Sequence, residues 1–323
     1  AQYYPGQRLG IQPDVYVDGK RTIFGVNLHG AMAQYVTLDR SVLASDKGSC
    51  VFPVIADAGY ADTAVLEPWA CIDVAYSLTA RRLSPKQGGL LWIQGHGDDA
   101  RPYSLKHPLD STRIVLSDVP QDFADQVCRQ NASVMTRDVA TGADIASEFS
   151  FENAIDDIIL LDPPTSQMVH EAVANLADHG TLNLVIDHAL DAAVAVDMSK
   201  LHYQHLALLG CRGPEIAAAY GQTRNRADLR PDGVAWIVGA GGTMGRMHIQ
   251  RALEMLNGPA TIIATNRGEA RLNRLIEDYA ELAAANGREL VAFSPRLEPS
   301  RMQAEVDRLT AGRGVDDAIV IVP

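Results

Sequence analysis

Three glycines, Gly239, Gly241 and Gly245, follow the apolar run VAWIV and open a segment in which Ile249, Ala252, Leu253 and Leu256 recur at helical spacing. Residues without a Cβ at such a junction let the backbone approach a diphosphate. The amides at the helix start, those of Thr243 and Met244 among them, then face its oxygens. The spacing is G-x-G-x-x-x-G, one residue longer than the usual dinucleotide fingerprint. The same pattern also serves a methyltransferase turn or a strand-to-helix junction that holds no nucleotide. Cofactor type is read at the end of the next strand, ATIIAT, where an acid would bond the ribose hydroxyls of NAD. Asn266 and Arg267 stand there instead. An amide beside a guanidinium accepts a phosphate, which predicts NADP(H) over NAD(H), with NAD still possible; the alternative is that Arg267 is a solvated residue at a helix start.

An earlier stretch, LLWIQGHGDDA, carries Gly95, Gly97 and Ala100 as G-x-G-x-x-A, and Asp118 ends the following strand at ribose distance. Alone it reads as an NAD turn. Asp98 and Asp99, however, bring two carboxylates to the pyrophosphate position, and Pro102 and Pro108 interrupt the helix whose amides would hold it. The first unit is therefore read as mainly structural, and the second as the working site.

Other reactive side chains give weaker signals. Cys50, Cys71, Cys128 and Cys211 lie far apart, without metal-site or disulfide-framework spacing, and are expected as reduced thiols in a cytoplasm. Cys71 is expected in a core behind an apolar helix face. His202 and His205 precede the strand LALLG with no third ligand nearby, and read as packed or solvated. Tyr35 and Trp69 suit a substrate cleft or simple packing. Glu67, beside Pro68 at a helix start, suits dipole stabilisation and metal ligation equally.

The elements that must hold these residues change style along the chain. From Tyr3 to about Leu83, the short strands QRLGIQ, RTIFGV and AMAQYVTL are punctuated by Pro5-Gly6, Asp18-Gly19 and His29-Gly30. After Pro85, the strands LLWIQ, RIVLSD, DDIILLD and TLNLVID alternate with helical segments such as SQMVHEAVANLA, as in a parallel sheet covered by helices. The polar GQTRNRADLRPDG marks a boundary ending at Gly233, and a second α/β unit follows. Its second helix carries Leu272, Leu275, Ile276 and Tyr279 and stops at Asn286-Gly287; ELVAF is its third strand, and Ser300 and Gln303 stand at capping-box spacing before a further helix. The predicted class is α/β, with a mostly β domain over 1–84, a degenerate Rossmann-like unit over 85–232 and an NADP-binding Rossmann-like unit over 233–323.

Composition narrows the partners. The hydrophobic share is 47% against 21% charged, and no apolar run nears the roughly 20 residues of a membrane helix. A formal net charge of -12 without a basic stripe argues against nucleic acid, so a small-molecule partner is expected. AQYYPGQRLG reads as the middle of a domain, and AIVIVP stops where a parallel sheet still needs a crossover helix, so segments are expected to be missing at both ends.

In their order, YYPGQRLGIQP, HGAMAQYVTL, VLEPWACIDVAY and LLWIQG resemble the zinc-dependent medium-chain dehydrogenases, in particular the polyol (sorbitol) and threonine dehydrogenase branch. GAGGTMGRMHIQRAL and ATNRGEARLNRL are similar to sorbose-1-phosphate reductase-type members. The resemblance implies a GroES-like catalytic domain, a Rossmann domain, catalytic zinc and reversible oxidation of a secondary alcohol, polyol or sugar phosphate by a nicotinamide cofactor. It also implies a homo-oligomer joined by sheet edges near LALLG. Glu67 matches the family's glutamate at or just outside the zinc shell and is the metal and catalytic candidate it implies; the family's Cys and Gly-His-Glu ligands are not in this sequence, nor is its structural-zinc cysteine cluster. Two rival readings are a zinc-free quinone or enone reductase and a non-catalytic dinucleotide sensor or scaffold.

Overall fold

The computed structural model describes residues 3–77, 84–97, 99–105, 109, 113–131, 134–137, 155–221, 225–296 and 299–321. The chain forms two compact units: residues 1–76 together with 229–323, and residues 77–228. The first and third sequence segments thus belong to one body, for a reason visible in its core.

In the N-terminal segment, β1 (Leu9–Ile11) pairs antiparallel with β4 (Val51–Pro53), and β2 (Asp14–Val17) with β3 (Lys20–Ile23). Asp18 and Gly19 form the two-residue β2–β3 turn with φ of 51° and 72°, the left-handed pair that matches strand twist. α1 (Arg40–Leu43), α2 (Tyr60–Ala64) and α3 (Leu66–Ala75) complete the segment, and α1 adds Val42 to a small core of Val15, Cys50 and Val51. The run AMAQYVTL forms no strand: no neighbouring chain takes its backbone bonds, and Met32 and Tyr35 are exposed.

The second unit holds β5 (Leu90–Gln94), β6 (Arg113–Ser117), α4 (Gln121–Gln130), β7 (Val134–Arg137), β8 (Ile155–Leu161), α5 (Ser166–Ala174), β9 (Leu176–Val185), α6 (Met198–Tyr203) and β10 (Ala207–Cys211). Its six strands are all parallel in the order β7-β6-β5-β8-β9-β10. The chain starts in the middle, winds outward to one edge, returns and winds to the other, which is the Rossmann order. All five residues of β5 are buried, as an inner strand with both faces covered requires.

β11 (Val234–Val238), α7 (Thr243–Glu254), β12 (Thr261–Thr265), α8 (Glu269–Ala285), β13 (Glu289–Phe293), α9 (Pro299–Thr310) and β14 (Asp317–Val320) repeat that winding in a parallel sheet of order β13-β12-β11-β14. The two sheets share a detail of register. Trp92 of β5 donates its indole N–H to Ser117 Oγ at 2.9 Å, and Trp236 of β11 donates to Thr265 Oγ1 at 2.9 Å, each joining the third residue of the first strand to the last of its neighbour. Two expectations are corrected here. Leu256 is exposed because α7 ends at Glu254 and Met255 is already extended. Ser300 lies inside α9, because Pro299 takes the first helical position, where its missing N–H costs nothing.

α3 is what binds the N-terminal segment to this later sheet. Its Ile72, with Tyr76 just beyond it, shares a core with Met247, Ile249, Leu253 and Ile262, and Trp69 packs at the margin. Tyr76 Oη lies 2.6 Å from His248 Nδ1 in a buried contact, and the Arg251 guanidinium sits over the Tyr76 ring at 3.9 Å. Burial, reinforced by the Arg251 charge, lowers the His248 pKa from 6.5 to about 4. The folded state therefore binds fewer protons than the unfolded state between those values. Its stability is complete above pH 6.5 and declines as pH falls toward 4, by roughly 2 kcal/mol after allowance for solvent screening. Thermal unfolding from pH 7.5 to 4.5 should show a steeper acid loss in wild type than in His248→Gln; parallel curves would refute this assignment. Among the described residues, no helix is long and apolar enough to cross a membrane.

Candidate functional site

Gly239, Gly241 and Gly245 stand at the end of β11, and each lacks a Cβ for a different reason. Gly239 has φ of 90°, and its N–H, with that of Ala240, donates to Thr265 O at 2.8 and 3.0 Å, closing the turn onto β12. A Cβ on Gly245 would lie 2.3 Å from Gly239 O and 2.7 Å from Ala240 Cα, so α7 is seated directly on the turn. A Cβ on Gly241 would meet Arg271 Cβ at 2.9 Å and Asn266 Cγ at 3.0 Å. Gly242 is the N-cap of α7 and offers no side chain to its first amides, which begin at Thr243 and Met244. The turn thus combines bare backbone with an uncapped helix start on the β12 side of the first strand.

A cleft of about 860 Å³ opens there, lined by Gly239, Gly242, Asn266, Arg267, Arg271 and Arg296 among others. Among the described residues, no aspartate or glutamate lines it. Asn266 and Arg267 follow β12 as the sequence placed them, and Asn266 Nδ2 donates to Gly268 O at 3.4 Å. Arg271 and Arg296 were not singled out from the sequence. The available signals were their positions: Arg271 is four residues beyond Arg267 in the first turn of α8, and Arg296 follows β13 at the same sheet edge.

The second unit places different groups at the corresponding edge. Among the described residues no helix follows β5 before β6. A Cβ on Gly95 would lie 2.4 Å from Asp118 O, and one on Gly97 3.1 Å from Asp118 Oδ1, so Asp118 leans over the turn. Arg101 pairs with Asp99 at 3.0 Å, Asp162 at 2.8 Å and Asp187 at 3.2 Å; His188 Nδ1 lies 3.0 Å from Asp162 and His96 Nε2 3.8 Å from it. Burial would raise the Asp99 carboxyl, but hydrogen bonds from Arg101 and the Tyr103 hydroxyl outweigh it and hold the pKa below the usual range. A diphosphate entering between β5 and β8 would meet three carboxylates already sharing one guanidinium. Asp98 and Pro108 lie outside the described residues.

Glu67 is exposed in the first turn of α3, and Cys71, one helical turn on, donates to its Oε1 at 3.1 Å. Cys71 is exposed rather than in a core, because its side of α3 faces a cleft of about 710 Å³ lined by Asp14, Phe52, Glu67 and Val74. The Glu67 hydrogen bond, then burial, raises the thiol pKa. Among the described residues the group of three or more converging metal donors is His96, Asp99 and Asp162, and Glu67 is not in it. Two donors on one exposed helical turn do not make a tetrahedral zinc shell, so no step is assigned to zinc here. His205 stacks on His179 at 5.0 Å, and His202 packs edge-on to Tyr203.

No family model matches the chain, and no curated protein matches it. Among solved structures, 2R,3R-butanediol dehydrogenase from Bacillus subtilis aligns over 90% of this chain and 75% of its own, with 12% identity and a TM-score of 0.28. Galactitol-1-phosphate dehydrogenase from Escherichia coli aligns over 80% and 78%, with 14% identity and a TM-score of 0.27. The alcohol dehydrogenase of the archaeon Aeropyrum pernix aligns over 89% and 75%, with 14% identity and a TM-score of 0.29. Likeness at that level adds no argument; the strand order and the glycine turn carry the functional reading.

Proposed function

We propose that this chain is an oxidoreductase that binds a nicotinamide dinucleotide, NADP(H) in preference to NAD(H), in the cleft at the ends of β11 and β12. Its substrate is proposed to be a secondary alcohol, polyol or sugar phosphate. The observation that carries the cofactor site is the combination of Gly239, Gly241 and Gly245, an uncapped α7 and a cleft whose described lining holds three arginines and no carboxylate. When bound, the nicotinamide supplies or accepts the hydride. The chain's own contribution is to take the pyrophosphate on the α7 amides, admit the ribose past Gly241 and hold the adenosine end beside Asn266 and Arg267.

The alcohol class rests on the resemblance of the N-terminal and α3 segments. It is supported by the cleft beside Glu67, whose apolar walls include Phe52 and Val74 and whose carboxylates, Asp14 and Glu67, accept hydrogen bonds from hydroxyl groups. The donor set around Glu67, incomplete among the described residues, favours, as a second reading, zinc-free reduction of a quinone or enone. Metal analysis separates the two, stoichiometric zinc excluding the second.

Fluorescence titration tests the cofactor site. NADPH should bind more tightly than NADH. Gly241→Ala should weaken NADPH about tenfold and lower the melting midpoint by about 2–5 °C, since the new methyl meets Arg271 Cβ, fixed to the α8 backbone, at 2.9 Å as well as the Asn266 side chain. Unchanged NADPH affinity in that variant counts against this site.

A further inference from the structure

We propose that Arg271 and Arg296 complete, with Arg267, a clamp for a phosphomonoester on the adenosine ribose, and that these two arginines set the preference for a 2′-phosphorylated dinucleotide. The proposal rests on the reading of this crevice as a nucleotide site and deepens it by assigning the residues that read the extra phosphate.

The first argument is charge. In a chain of formal net charge -12, one cleft gathers Arg267, Arg271 and Arg296 with no acidic residue among its described lining residues. The second is that all three lack an ion-pair partner among the described residues, whereas Arg246 on α7, Arg274 on α8 and Arg308 on α9 are neutralised. Arg246 pairs with Asp278 at 2.5 Å, Arg274 with Asp278 at 3.1 Å, and Arg308 with Glu305 at 2.8 Å. Those three are held by carboxylates of their surroundings, while the arginines of the cleft stand open to an incoming dianion.

Loop construction gives the third argument. The guanidiniums come from the loop after β12, the first turn of α8 and the loop after β13, and buried Ser294 donates its Oγ to Arg267 O at 3.2 Å, tying the two loops together. Pro295 restricts the backbone immediately before Arg296. The stem of Arg271 lies against Gly241, 2.9 Å from where a Cβ would project, so its guanidinium starts beside the bare backbone that admits the ribose. Forked donors held on joined loops around an open cleft suit a compact phosphate dianion. A ribose 3′-phosphate offers the same chemistry, and the test separates the two positions.

Calorimetric titration of the full chain would use NADPH, NADH, adenosine 2′,5′-bisphosphate, adenosine 3′,5′-bisphosphate and AMP against wild type, Arg271→Gln, Arg296→Gln and, as a paired control on α8, Arg274→Gln. The two cleft variants should each weaken NADPH and the 2′,5′-bisphosphate about tenfold while changing NADH and AMP less than about twofold, and Arg274→Gln should change none of them. Wild-type 2′,5′-bisphosphate affinity in both cleft variants overturns the clamp. So does equal loss of NADH and NADPH, or equal binding of the 3′ and 2′ isomers. If neither dinucleotide binds wild type but the 2′,5′-bisphosphate binds and is lost in the variants, the dinucleotide reading falls and the clamp stands; if the bisphosphate also fails to bind, the clamp falls with it.

Discussion

Gly245→Ala is expected to abolish NADPH binding and to lower the thermal midpoint by about 5–10 °C. The added methyl would sit 2.3 Å from Gly239 O and 2.7 Å from Ala240 Cα, contacts that no side-chain rotation relieves, because both belong to backbone. α7 must lift from the turn, and its amides then leave the place where a diphosphate would rest. Ile249, Ala252 and Leu253 lift with it, and all three are fully buried in the core they share with β11 and β12. Gly242→Ala is the control. There the nearest atom to a new Cβ is 3.6 Å away and the backbone has φ of -83°, so alanine fits without strain. Circular-dichroism melts and NADPH titration of the two variants check this, and a Gly245→Ala protein with wild-type midpoint and affinity would remove the basis for the proposed seat of α7.

Arg288→Met should cost about 2–4 kcal/mol of stability without altering cofactor preference. Arg288 closes the far end of the same helix. Its Nε donates to Leu253 O at 3.0 Å, and its two terminal nitrogens donate to Met255 O and Pro259 O. The guanidinium therefore satisfies carbonyls that α7 leaves unpaired and places a positive charge at the negative end of the helix dipole. Methionine preserves the apolar stem but supplies no donor. Lysine should recover only part of the loss, since an ammonium cannot reproduce a planar fork reaching three acceptors. Urea denaturation of the three proteins, with NADPH and NADH titrations alongside, measures both parts; a Met variant as stable as wild type would show that solvent already satisfies these carbonyls.

Much of the architecture is legible in the sequence. Period and punctuation located β5, β6, β8, β9 and β11 to β13, because inner parallel strands are short, continuously apolar and bounded by glycine, proline and polar residues. The Asp18-Gly19 turn and the stop at Asn286-Gly287 were equally local, since each depends on which residues tolerate positive φ; Gly287 has φ of 64°. Local pattern failed where a partner was needed. AMAQYVTL has a strand-like composition but no neighbour to pair with, and Leu256 keeps the helical spacing of a helix that has already ended.

At the candidate site, residue type alone specified the glycine turn, the helix after it and the absence of an acid at Asn266 and Arg267, because backbone freedom and charge are properties of single residues. Which charges stand at each glycine turn was decided by packing. At the first sheet Arg101 pairs with carboxylates from three strand ends, while the cleft of the second is lined by three arginines that, among the described residues, have no ion-pair partner. Charges separated by 25 residues, as Arg271 and Arg296 are, share a cleft only because parallel winding brings successive strand ends to one edge. Spacing along a chain does not record that proximity, so the fold had to supply it.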